Sequence, residues 1–190
     1  VRRLNKDLTL YVISVLAPDR RGIIADVSDV IYGLGGNLEA TSQTIMQGWF
    51  TMLIGAWFPA SVREADVKQA LGHVADIEVL VRRTPKDMTT AALGGDPYVV
   101  ICDGDDKPGI VRGLSRCCAS KGVNIDDVWN EVREGRFITV FHVTVPQDVD
   151  PKDFRQDLEN IAATLGVALT LQHQDIFTAT NSLQVHTKRR

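Results

Sequence analysis

An α+β chain made of two similar domains with antiparallel sheets is predicted by three features of the sequence. The first is an internal repeat. A shift of 87 residues lays Asp19, Gly22, Ile23, Ser28, Gly35, Asn37, Gly48, Phe50 and Pro59 onto Asp106, Gly109, Ile110, Ser115, Gly122, Asn124, Gly135, Phe137 and Pro146 without a gap, with 16 identities over the 65 positions from Tyr11/Tyr98 to Ala75/Ala162. A period this long exceeds one solenoid turn and suffices for a small domain. The second is the apolar periodicity, which in each copy runs strand, helix, strand, strand, helix, strand. The third is that the third strand of each copy is apolar on both of its faces, so its sheet needs a cover on each side.

In the first copy the apolar run Leu10 to Leu16 is a buried strand, and Ala17 to Gly22 ends it with Pro, charge and Gly. A helix follows, because Ile23, Ile24, Val27, Val30, Ile31 and Leu34 recur on one helical face and Gly35-Gly36 closes it. Asn37 to Met46 and Trp49 to Phe58 form two strands around a Gln47-Gly48 turn. The second helix carries Val67, Ala70, Leu71 and Val74, and Ile77, Val79 and Val81 alternate as the last strand. The second copy repeats the plan: its first helix presents Ile110, Val111, Leu114, Cys117 and Cys118, its hairpin turns at Glu134-Gly135, and its last strand alternates Val167, Leu169 and Leu171.

A βαββαβ unit sets two helices on one face of a four-stranded antiparallel sheet, the ferredoxin-like arrangement. The expected boundaries are a first domain over 5–83, a linker over 84–96 rich in Thr, Gly and Pro, a second domain over 97–174, and a C-terminal extension over 175–190. After the second copy, Asp175 to Leu183 reads as a short helix or simply an extension, and Lys188-Arg189-Arg190 as disordered. The third strands place Phe50, Met52, Ile54 and Phe58 on one side and Trp49, Leu53 and Trp57 on the other, with Phe137, Phe141 and Val143 against Ile138 and Val140 in the second copy. The other copy or another chain is the expected cover for the second face.

At 44% hydrophobic and 24% charged residues, the composition is that of an ordinary globular protein. No apolar run approaches the roughly 20 residues that span a bilayer, and the N-terminus lacks a signal-peptide stretch, so no membrane association is expected. The net charge of -3 provides no global field for nucleic acid, and no direct nucleic-acid binding is expected. Three cysteines, two of them adjacent, form no disulfide framework, which points to a reducing, cytoplasmic location.

Two motifs then identify a resemblance. Asp19-Arg20-Arg21-Gly22-Ile23 with Gly35-Gly36-Asn37-Leu38, and Asp106-Lys107-Pro108-Gly109-Ile110 with Gly122-Val123-Asn124-Ile125, resemble the signature of the ACT domain, a small-molecule-sensing module of ferredoxin-like fold. The second copy, with Pro108 before Gly109, has the more typical form; the first has Arg21 there. The stretches Ser42 to Met52 and Gln172 to Phe177 look like those of a family of small, functionally uncharacterised single-ACT-domain proteins. The tandem arrangement is similar to that of the glycine cleavage system transcriptional repressors, which are built from two ACT domains. The resemblance implies a non-enzymatic regulatory module that senses a small molecule, an amino acid by preference, at domain interfaces. It also implies a homo-oligomer, most simply a dimer, and an output as a transcriptional or metabolic regulator through a protein partner.

The expected ligand site is the loop between first strand and first helix in each copy. A helix N-terminus offers unpaired N–H groups and a partial positive charge, which suit a carboxylate. The candidate residues are Asp19, Arg21, Gly22 and Ile23, and Asp106, Pro108, Gly109 and Ile110, with Asn37 and Asn124 read as lying just across at the start of the second strand. The competing reading is that the glycines serve the turn, Asp19 and Asp106 cap the helices, and each Asn is turn chemistry.

Other groups carry less. Asp103, Asp105 and Asp106 crowd one loop, either as a weak cation site or as a solvated acidic turn. Cys117 and Cys118 fall at the positions of Val30 and Ile31, which makes them core residues. The four histidines are scattered, with His173 of interest for its place in the end-strand stretch. No catalytic residues, metal site or cofactor are expected. Two rival functions remain: an RNA-binding module of RRM-like topology, with Tyr11 and Phe50 as the central-strand aromatics, and an enzyme of unknown type.

Overall fold

Period-two alternation gives every strand of this chain one row of side chains for a core and a second row for the opposite face. The computed structural model describes residues 8–85, 94–133 and 135–187. Residues 5–7 of the first expected domain, most of the linker, Glu134 of the second hairpin and the basic end Lys188-Arg189-Arg190 lie outside the described residues. The chain divides into two compact units, residues 1–89 and 90–190.

The first unit runs β1 (Leu8–Pro18), α1 (Ile23–Gly33), β2 (Asn37–Met46), β3 (Trp49–Pro59), α2 (Glu64–Leu71) and β4 (Glu78–Arg83). Its sheet has the order β2-β3-β1-β4 with antiparallel neighbours. The second runs β5 (Asp96–Asp105), α3 (Ile110–Ser120), β6 (Asn124–Arg133), β7 (Arg136–Val145), α4 (Pro151–Leu165) and β8 (Ala168–His173), in the order β6-β7-β5-β8. Both are ferredoxin-like α+β units. A last helix, α5 (Gln174–Thr187), completes the second and outruns the short segment expected there.

One face of each sheet meets its two helices. Ile13, Val15, Ile54 and Phe58 pack on Ile23, Val27 and Ile31 of α1 and on Val67 and Leu71 of α2, all fully or almost fully buried. Val100, Phe141 and Val143 meet Ile110, Leu114 and Cys118 of α3 and Phe154 and Leu158 of α4. Each such side chain contributes about 1.5–3 kcal/mol relative to exposure. Helix α2 is one turn shorter than the apolar pattern suggests: Gly72 caps it, leaving Val74 outside, and β4 begins after Ile77. Helix α4 is longer because its ends are better defined. Asp150 accepts from Lys152 N at 2.8 Å, Pro151 starts the helix, and Gly166 closes it at φ 67°.

The two cores solve one packing problem in opposite ways. After α1, Gly35 at φ 71° turns the chain and Gly36 N donates to Ile31 O at 2.9 Å; after α3, Gly122 at φ 68° and Val123 N to Cys118 O at 2.9 Å do the same. A Cβ on Gly36 would lie 2.5 Å from the Phe58 ring and 2.8 Å from Ile31. In the second unit the same two positions hold Val123 and Val145, both buried. A large and a null side chain in one unit are replaced by two medium ones in the other.

The cysteines are core residues, as their repeat positions imply. Cys102, Cys117 and Cys118 are free and buried. Burial, helped by Asp103, pushes the Cys102 thiol up to about 11. Burial, then the adjacent Cys117, pushes Cys118 up to about 12. These values lie above the ordinary 9.0, so the folded state favours the neutral thiol. That preference is in full force below about pH 9 and is lost as pH rises through 11 to 12.

The second faces differ. Register places Val99 opposite His142 and Gln172, on the face away from α3 and α4, and α5 packs against β5 and β8 on that side. His142 Nδ1 lies 3.0 Å from Gln174 Oε1 and its ring meets Phe177 edge-on at 5.9 Å. Val99 is fully buried, whereas its counterpart Val12 is 38% exposed.

Gly36→Ala is expected to cost about 1–3 kcal/mol, and Phe58→Val in the same chain to restore part of it. Thermal melts of the single and double variants test the coupling, and additive losses would refute it. Iodoacetamide at pH 8 is expected to leave all three thiols of the native chain unmodified over minutes and to alkylate them in guanidinium; intact-mass spectrometry reads the outcome.

Candidate functional site

The strand-to-helix loops are built alike up to the helix and braced differently around it. Beyond Pro18, Asp19 N donates to Gly48 O at 2.8 Å, which fastens the first loop to the β2–β3 turn. Arg20 reaches Asp26 in the first turn of α1 at 2.8 Å and donates to Ala75 O at 3.4 Å, bridging α1 to the segment after α2. In the second loop Lys107 lies 3.8 Å from Asp105, and Asp103 is held by Arg136 through two contacts of 2.8 and 3.1 Å. Two of the three loop carboxylates therefore face cations of the protein itself. Among the described residues no group of three or more His, Cys, Asp or Glu could hold a metal ion.

Gly22 and Gly109 stand at the N-caps of α1 and α3 with φ 91° and 100°. That left-handed conformation suits glycine alone among common residues. Their carbonyls accept from Asp26 N at 2.9 Å and Gly113 N at 2.8 Å, starting each helix. Among the described residues no side chain caps either helix, so Asp19 and Asp106 do not play the capping part of the alternative reading. A Cβ on either glycine would meet nothing within 4 Å. The side chains of Ile23 and Ile110 are buried and anchor the first turn, while Asp19, Arg21, Asp106 and Pro108 are exposed around it. Each loop thus presents an uncapped helix start with an open approach.

Asn37 and Asn124 do not join these loops within their units. Asn37 pairs with Trp57, which pairs with Leu10 near the start of β1, whereas the loop leaves β1 at Pro18. The eight residue steps from Leu10 to Pro18 span about 26 Å of strand. Asn124 is likewise level with Pro97 through Thr144, and the second loop follows Asp105. The reason is the crossover: β2 lies parallel to β1, so the helix must carry the chain back to the end where β1 began.

At that far end the structure holds a feature that sequence reading missed. Both second strands carry a bulge, at Glu39 and at Asp126, the same repeat position. Trp57 Nε1 donates to Glu39 Oε2 at 2.7 Å, and Thr144 Oγ1, from the position equivalent to Trp57, donates to Asp126 Oδ2 at 2.7 Å. Asn124 Nδ2 donates to the other oxygen of Asp126. An acid follows Asn-Leu and Asn-Ile in both copies, the signal that could have located it.

Tyr11 and Phe50, the aromatics of the RNA-binding alternative, are both buried against the helices, where no base could stack on them. His173 meets Tyr98 edge-on at 5.3 Å and accepts from Asp175 N at 3.3 Å, a contact that fixes the start of α5. A cleft of about 280 Å³ is lined by Thr9, Tyr11, Val62, Arg63, Glu64 and Arg83, and a groove of about 450 Å³ by Gly113, Arg116, Cys117, Asp157 and Asn160 among others. Neither includes an expected site residue.

Comparison with known proteins gives three results. Residues 98–172 match the family model of the ACT domain. The UPF0237 protein of Methanopyrus kandleri is 35% identical over 82 residues, 43% of this chain and 91% of its own length. That of Methanocaldococcus jannaschii is 34% identical over 80 residues, 42% and 89% of the two chains. Among solved structures, an unknown protein from Galdieria sulphuraria aligns with TM-score 0.74 at 22% identity over 88% of this chain and 99% of its own. A putative glycine cleavage system transcriptional repressor aligns with TM-score 0.59 at 17% identity over 87% and 96%. At these identities the structural likenesses bear on the fold.

Proposed function

This chain belongs to the family of the UPF0237 proteins, with an ACT domain over residues 98–172, and we propose that it is a non-enzymatic regulatory module that binds a free amino acid at its strand-to-helix loops. The observation that carries the proposal is the uncapped, glycine-started helix N-terminus, built twice with φ 91° and 100° and open to solvent. First-turn amides at Ile23 and Ile24, and at Ile110 and Val111, are the donors for the ligand carboxylate. Asp19 and Asp106, both exposed beside the loops, receive its ammonium group in this reading, and Arg21 and Pro108 differentiate the two sites.

Regulation then acts through assembly. The protein works as a homo-oligomer, most simply a dimer, and ligand that binds one arrangement better shifts the population toward it. Its output reaches a transcriptional or metabolic target through a protein partner in the cytoplasm. The likeness in fold to a putative glycine cleavage system transcriptional repressor supports the choice of a regulatory role.

Calorimetry and thermal shift with the twenty amino acids test the site. An amino acid at about 100 times its dissociation constant is expected to stabilise the protein by about 2.7 kcal/mol, several degrees in melting temperature. Its carboxamide, which lacks the anionic group, is expected to bind at least roughly tenfold more weakly. Asn37→Ala and Asn124→Ala are expected to leave the affinity within about twofold, since both residues lie at the far end of their sheets. Flat melting curves for all twenty would reject the amino-acid ligand, and equal binding of acid and amide would reject the helix-terminus site.

A further inference from the structure

The face of the first sheet turned away from α1 and α2 is an apolar surface that no described residue of its own unit covers. Register places Val12 and Leu16 of β1, Trp49 and Leu53 of β3 and Leu80 of β4 on it, and these are 38, 36, 48, 52 and 50% exposed. The polar positions between them, Ser14, Ser42, Thr44 and Thr51, are uncharged. Among the described residues charge enters this face only on the edge strands, where Glu39 already accepts from Trp57 and where Glu78 and Arg82 flank Leu80 with opposite signs. In the second unit the corresponding face is met by α5 over β5 and β8 and Val99 is fully buried, whereas the first unit has no such helix after β4 among the described residues.

We propose that the open face of the first unit is the dimer interface, occupied by the same face of a second copy in face-to-face sheet packing. Three strands about 30 Å long and β4 at about 20 Å, each about 4.8 Å wide, present roughly 530 Å² per copy, about 1,060 Å² for a pair, just above the roughly 1,000 Å² that a specific interface needs. The pairing is self-complementary in charge: a twofold axis running across the strands at Leu80 sets Glu78 of each copy opposite the partner's Arg82, and no charge is buried in the apolar centre. Arg82 pairs with Glu64 of α2 at 3.3 Å on the exposed edge, and the proposed association exchanges that contact for the partner's Glu78. A charged partner surface would find no counter-ion over the middle of this face; a second copy matches it. The inference rests on the homo-oligomer of the proposed function and names its surface.

Sedimentation equilibrium on the full chain between about 1 and 200 µM tests it. The expected result is a dimer that roughly 1 M salt does not weaken, because apolar contacts are not screened. Leu53→Lys and Leu80→Lys are each expected to raise the dissociation constant at least roughly a hundredfold, since each buries an unpaired charge. Gln69→Lys, on the exposed side of α2, is expected to change it less than about twofold. Melting curves identify any variant that fails to fold, and Leu80→Lys on the edge strand decides where Leu53→Lys does not fold. A wild-type monomer throughout the range would overturn both this interface and the oligomeric reading. A dimer that survives both lysine variants would overturn the interface and leave the oligomer standing. Ligand binding is measured separately and is not touched by either outcome.

Discussion

Packing one apolar face of a four-stranded sheet against two helices sets the geometry of everything else in each unit, because it determines which side chains are available and at which end of the sheet they emerge. In the first unit Phe58 fills the space beneath the end of α1, and that is why the residue after the turn glycine is Gly36. In the second, Val145 leaves room and Val123 takes it. The backbone bonds that close the two helices are the same, so the fold tolerates the exchange of volume provided that the sum is kept. The repeat is therefore conserved as a shape rather than as a set of residues, with identity held at the positions where the backbone requires it.

The same constraint creates the problem of the second face. Helices on one side leave the other side of each sheet to be dealt with separately, and the two units deal with it differently. Helix α5 lies over β5 and β8, ordered by His142 against Gln174 and Phe177 and by the contact of His173 with Asp175 N. Gly55, the counterpart of His142, offers no such handle in the first unit, where Leu53 and Trp49 remain open. Duplication of a unit with one awkward face thus gives a chain in which the two faces are free to take separate roles.

Most of the fold could be read from the sequence because its signals are local: period-two alternation for the strands, the helical spacing of Ile23, Val27 and Ile31, and the glycines that end the helices. The repeat multiplied each signal by two. What could not be read depends on contacts distant in sequence. The end of α2 at Leu71 is set by Gly72 and the turn beyond it, not by the apolar pattern that runs on to Val74. Asn37 does not lie beside Gly22, because the crossover from β1 through α1 to β2 puts the end of one strand and the start of the next at opposite ends of the sheet, which the motif alone does not carry. The acid bulges at Glu39 and Asp126 went unseen because a bulge is a property of the pairing, and the residue types alone do not announce it.

For the candidate site the decisive point is what the glycines do and do not say. Their recurrence at Gly22 and Gly109 is accounted for by φ alone, since any other residue would be strained there whether or not a ligand binds. The sequence motif therefore speaks for the turn. The case for a site comes from what the structure adds: neither helix receives a side-chain cap, although an aspartate stands three residues before each glycine. Ser, Thr, Asp or Asn at the cap position would have satisfied a first-turn amide at almost no cost. A position that must be glycine for conformational reasons gives up that cap and leaves the amides to solvent or to an anion. The two units then diverge around this shared core, with Arg20 tied into α1 and the chain after α2 in one, and Asp103 and Asp105 engaged by Arg136 and Lys107 in the other. The backbone donors are common to both, and the surrounding charges are what distinguishes the two copies of the loop.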